Sequence, residues 1–184
     1  MGNLLFSNAR TALLGGSIVA LLAVWVLWGQ VADNWLLVWG AAVIVINGIR
    51  YVHAAGVQKR GAYPRSAMNT YTAGTFAAGV VWGTAGLLFF SSVSFQHQVF
   101  LAFLLGGMAA GSVASYGAWM PTVYAFLIPA LVPIVVRFFG AGDDMSLTMG
   151  VVLAVYAVAL LMLGRNINRA LTDALSLRTA LDGS

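Results

Sequence analysis

Apolar and polar positions divide the chain into six long greasy runs, at residues 11–28, 35–51, 70–90, 97–116, 121–139 and 147–164. Each holds 17 to 21 residues, near what a helix rising about 1.5 Å per residue needs to cross a hydrocarbon layer about 30 Å thick. Between them stand "GQVADN", "HAAGVQKRGAYPRSAMN", "SSVSFQ", "AWMP" and "GAGDDMS", all with turn or charge chemistry and only the second of them long. The pattern predicts an all-α integral membrane protein, with six transmembrane helices filling residues 1–164. The end of the chain differs in kind. In "GRNINRALTDALSLRTALDGS" the residues Ile167, Leu171, Ala174, Arg178 and Leu181 recur at spacings of four and three, which places them on one helical seam with Arg178 as its polar interruption. Residues 165–184 are therefore expected to form a cytoplasmic exit helix with heptad-like spacing, able to pair with a second copy in a homodimer.

Composition supports the membrane assignment. The chain is 61% hydrophobic and 8% charged, with a mean hydropathy of +0.91, whereas soluble domains are about a quarter charged. The net charge of +4 then reports topology and anionic headgroups, and nucleic acid is not an expected partner. If the N-terminus is cytoplasmic, Arg10, Arg50, Lys59, Arg60, Arg65, Arg165, Arg169 and Arg178 all fall inside, and Arg137 alone falls outside. Both termini are therefore expected to be cytoplasmic. The first run is too long for a signal-peptide core, and no small residue stands at −3 of a cut after Ala32, so it is read as a retained span.

Small residues at spacing four mark close helix contacts in lipid. Gly79 and Gly83 in the third run, and Gly107, Gly111 and Ser115 in the fourth, predict that these two helices pack on each other. Pro129 and Pro133, four apart in the fifth run, predict a kink and a candidate hinge.

Catalytic parts are scarce. There is no cysteine, the six runs contain no Asp, Glu or Lys, and Arg50 and Arg137 fall near run ends, where long side chains snorkel to the headgroups. His53 and His97 lie at opposite faces of the predicted topology, so no metal site or triad can be assembled, and Ser112 reads as a packing residue. No enzymatic activity, cofactor or metal is expected. Trp25, Trp28, Trp35 and Trp39 suit an interfacial aromatic belt. Trp39, Asn47, Trp82 and His97 are the candidate contacts for a small-molecule or lipid ligand.

Three stretches carry a resemblance: residues 49–90, with Trp82-Gly83; residues 97–139, with "GMAAG" at 107–111 and prolines at 121, 129 and 133; and "GRNINRALTDALSLR". Together they resemble the N-terminal multi-span input region of bacterial sensor histidine kinases and of diguanylate cyclase or phosphodiesterase proteins (GGDEF/EAL proteins), over about residues 49–180. The resemblance implies a sensor in the bacterial inner membrane whose exit helix drives a cytoplasmic kinase or cyclase, commonly as a dimer. No phosphoacceptor-histidine domain, ATP-binding motif or cyclase motif follows Leu181, so the chain is expected to be a truncated input module or a free-standing relative. The rival expectations are a small-solute channel lined by Asn47, Thr75, Thr84, Ser112 and Ser115, and a scaffold or assembly subunit recruiting partners through the tail.

Overall fold

The computed structural model describes residues 2–182, apart from the side chains of Asn3, Ser92, Leu175 and residues 177–182. Arg178 and Leu181, predicted for the exit seam, thus lie outside the described side chains. The helices are α1 (Gly2–Ser7), α2 (Ala9–Leu27), α3 (Asp33–Arg60), α4 (Arg65–Leu88), α5 (Phe95–Tyr116), α6 (Met120–Gly140) and α7 (Asp144–Asp182), with a 3₁₀ turn at Phe90–Ser92 and no strand among the described residues.

Five stretches are long and apolar enough to cross a membrane: Leu4–Leu27, Asp33–Arg60, Phe95–Tyr116, Met120–Gly140 and Asp144–Ala174. Their outer faces carry exposed Leu14, Ile18, Leu21, Val45, Val52, Phe103, Val136 and Val155. In water such a surface would aggregate; in a membrane it is solvated by lipid chains. The sixth long helix, α4, is not among the five although it has 24 residues. It packs against α3 and α6, burying Tyr71, Thr75, Gly79, Trp82 and Gly86. Its hydroxyls turn back onto its own backbone: Thr72 donates to Met68 O at 2.9 Å and Thr75 to Tyr71 O at 2.8 Å.

The long second connection of the sequence pattern is mostly helix. Polar residues after Tyr51 do not stop α3, which runs to Arg60 and is capped by Gly61 at φ 65°. Only residues 61–64 separate it from α4. A left-handed residue closes a helix cheaply only when it is glycine, and Gly61 is the first such stop.

The expected contact between the third and fourth runs is replaced by a different one. α4 packs chiefly against α6, and only lightly against α5. A Cβ on Gly79 would stand 2.7 Å from Phe126 O and 3.0 Å from Ala125 O, one on Gly86 would stand 2.8 Å from Ile134 Cβ, and one on Gly83 would overlap Pro129 O. The prolines explain the register. Pro129 and Pro133 cannot donate to the carbonyls of Ala125 and Pro129, four residues earlier, and both of those oxygens, with that of Phe126, face the α4 glycines. α6 nonetheless continues as one helix through both prolines, which places the predicted hinge inside the tightest interface of the bundle.

α7 starts at a cap. The Asp143 carboxylate accepts the Ser146 N–H at 2.8 Å, satisfying a donor that the first helical turn leaves open. The Ser146 side-chain and backbone hydrogen bonds hold the Asp143 pKa below its usual value. A depressed carboxylate stabilises the fold above the unfolded carboxyl range of about 4 and loses that contribution as pH falls through its folded value. Amide exchange in the first turn of α7 is therefore expected to accelerate as pH is lowered below about 4 relative to the intrinsic rate. Asp143→Asn should flatten that dependence.

Candidate functional site

The inward stripe of α3 is Leu36, Trp39, Gly40, Val43, Asn47, Arg50, Ala54 and Val57, the spacing of a helix face turned to its neighbours. Asn47 and Arg50, three apart, end up side by side on that face. Asn47 donates to Ser17 Oγ at 3.1 Å and Leu13 O at 3.4 Å on α2.

Arg50 corrects the sequence expectation. It stands ten residues before the end of α3, about 15 Å inside the helix, and is only 4% exposed. It does not snorkel. Its Nη2 donates to Tyr71 OH at 3.3 Å, Thr75 Oγ1 at 2.9 Å and Tyr116 OH at 2.8 Å. Its guanidinium also lies 4.9 Å and 5.5 Å from the ring centres of Tyr71 and Tyr116. Gly74 makes room for the stem, since a Cβ there would meet Arg50 Cγ at 3.1 Å. Stripping a cation of water costs several kcal/mol; hydrogen bonds to a charged group return about 1.5–3 kcal/mol each, and a desolvated cation–π contact about 2 kcal/mol. These contacts offset the desolvation but leave the charge itself unanswered, because no Asp or Glu occurs between Asp33 and Asp143.

Arg50 and Asn47 form the floor of a cleft of about 180 Å³ between α2 and α5. Ala12, Gly15 and Gly16 wall one side; Gly107, Met108, Gly111, Ser112 and Ser115 wall the other; Trp82, Tyr116 and Phe126 close the back. Gly107, Gly111 and Ser115, predicted to pack a helix, instead leave a gap: a Cβ on Gly107 or Gly111 would meet nothing within 4 Å. Gly15, Gly107 and Gly111 are exposed, so the cleft opens sideways through the apolar outer surface.

Of the predicted ligand contacts, Asn47 and Trp82 reach this cleft. Trp39 stands behind Trp82, edge to face at 5.3 Å, with its Nε1 donating to Val81 O at 2.8 Å. His97 is elsewhere, in the first turn of α5, where Nδ1 is 2.8 Å from Ser94 Oγ. Ser112 lines the cleft and donates to Ala109 O at 2.7 Å. Of the residues suggested for a channel, Asn47, Ser112 and Ser115 line the cleft, Thr75 holds Arg50, and Thr84 donates to Val81 O. Sequence reasoning missed Arg50, Tyr71 and Tyr116. The available signal was the helix-compatible stretch from Tyr51 to Gly61, which puts Arg50 well inside α3.

The base of the exit helix is the second feature. Asn168 Nδ2 donates to Gly117 O at 2.9 Å and Ala118 O at 3.0 Å, both in the α5–α6 turn. Ile167 packs on the same turn, where a Cβ on Gly117 would come within 2.9 Å of its Cγ2. Ile167 is half-buried at this turn. Arg165 Nε donates to Tyr124 OH at 3.0 Å. Beyond this anchor Leu171 is half-buried and Ala174 exposed. Comparison of the chain with protein-family models, curated proteins and solved structures finds no match.

Proposed function

We propose that this protein is a signal-input module of a bacterial cytoplasmic membrane: six helices cross the bilayer, α4 among them, both ends lie in the cytoplasm, and α7 carries a stimulus out to a kinase or cyclase. In this reading the module works as a dimer through its exit helix and performs no chemistry itself.

One observation carries the reading. The residue that holds Arg50 at the back of the cleft, Tyr116, is followed directly by Gly117 and Ala118, whose carbonyls hold Asn168 of α7. A change in the cleft therefore has one residue to cross before it reaches the exit helix. α7 is unbroken from Asp144 to Asp182. Its 39 residues extend about 58 Å, roughly twice the hydrocarbon thickness, so motion at its base is delivered well outside the membrane. Such a switch needs two packings only a few kcal/mol apart.

With a sensor-kinase catalytic core joined after residue 182, deleting residues one at a time within 169–182 should make output rise and fall with a period of about 3.6 residues, because each deletion turns the downstream helix by about 100°. A flat profile removes the reading. Solute flux into vesicles that survives loss of the whole 166–181 segment, with no effect of the bundle on output, would favour the channel instead.

A further inference from the structure

The cleft contains a cation with nothing to neutralise it. Among the described residues, all three hydrogen bonds of the Arg50 guanidinium fall on Nη2; Nε is buried without a partner and Nη1 makes none. Arg50 is 4% exposed and lines the cleft, beside glycines, Met108, Trp82 and Phe126.

The cleft also has a neighbour. Gly107 borders a second recess, of about 500 Å³, between α5 and α7, walled by Ala102, Phe103, Met149, Val152 and Leu153. With no side chain at Gly107 and no atom within 4 Å of where its Cβ would be, a slender apolar chain can pass from one recess to the other along the lipid-facing side of α5.

We propose that this pair of recesses binds a single-chain amphiphilic carboxylate, of the fatty-acid class, with its head on Arg50 and its tail across Gly107 in the α5–α7 groove. With Nη2 taken by three hydroxyls and Nε buried, Nη1 is the charged donor left for a carboxylate oxygen. Space of about 180 Å³ suits a small head, and the tail belongs to the medium outside the mouth. The ligand enters sideways from the bilayer. Its tail lies against α7 upstream of Asn168; the consequence for output rests on the signalling reading above, whereas binding does not.

The test is equilibrium binding of radiolabelled dodecanoate to the purified full chain in nanodiscs of zwitterionic phospholipid. Saturable binding is expected, with 1-dodecanol, which lacks the charge, and acetate, which lacks the tail, competing at least tenfold less well. Gly107→Leu should weaken binding at least tenfold while leaving the melting temperature unchanged, because the added side chain fills only empty space; Arg50→Gln, which removes the charge, should weaken binding as far. Equal competition by dodecanol, or unchanged binding to Gly107→Leu, overturns the proposal. So does tight binding of dodecyl phosphate with none of dodecanoate, which would assign the charge to a phosphate-headed lipid. Because the assay reads no signalling output, dodecanoate binding that leaves the fused kinase unaffected counts against the signalling reading alone.

Discussion

Gly83→Leu is expected to prevent the α4–α6 interface from closing. The first atom of the new side chain would overlap the Pro129 carbonyl oxygen, and a backbone oxygen inside a continuous helix cannot swing aside as a side chain can. Overpacking of cores costs about 1–3 kcal/mol where side chains can adjust. Here the upper end applies, since relief requires separating the two helices that pack most extensively in the fold. A loss of about 3 kcal/mol corresponds to a drop of roughly 6–12 °C in melting temperature for a chain of this size. Thermal unfolding of the detergent-purified protein measures it. Gly107→Leu, which adds the same side chain to another helical glycine, provides the control. A Gly83→Leu protein melting within the scatter of that control would show that the glycine–proline register does not hold the bundle.

Asn168→Asp should disconnect the exit helix from the bundle. The two side chains are nearly the same size, yet a carboxylate offers only acceptors, and at Asn168 the facing groups are the Gly117 and Ala118 carbonyl oxygens. Two attractive contacts become two repulsive ones. Losing two hydrogen bonds at about 1 kcal/mol each, with repulsion added, is enough to shift a two-state element by tenfold or more. In the kinase fusion, output of Asn168→Asp is expected to match that of a core carrying only residues 165–182. Output equal to the unsubstituted fusion would mean that the bundle acts on α7 by another route.

How much of this was legible in the sequence depended on what each residue had to report. The helices themselves were readable, because lipid demands long apolar runs and a helix is the only way to satisfy their backbone there. The unbroken passage from the sixth run into the tail was equally visible, since no glycine or proline occurs between Gly164 and Gly183. Helix pairing was not. Spacing alone marks Gly79 and Gly83 in the same way as Gly107 and Gly111, yet the first pair is pressed against carbonyls and the second faces open space; the difference lies in the partner helix, which no local pattern encodes. Arg50 was misplaced for a related reason. A hydropathy run ends at the first polar cluster, whereas a helix ends at a backbone stop, and for α3 these are nine residues apart, Tyr51 against Arg60. Asn47 and Trp82 were found as cleft residues because polar or indole groups inside a greasy helix have few other uses. His97 was drawn in by its chemistry and left out by its position.

The placement of Arg50 also bears on membrane voltage. With α3 crossing the bilayer as proposed, a fixed positive charge held well inside it would sit within the transmembrane electric field, which does work of about 2.3 kcal/mol per 100 mV on a charge carried right across. Hydroxyls from α4 and α5 grip this one, and a shift of a tenth of the membrane's thickness would yield only about 0.2 kcal/mol at 100 mV, an order below what separates two packings of a bundle. Electrical potential is therefore a weak lever on this charge.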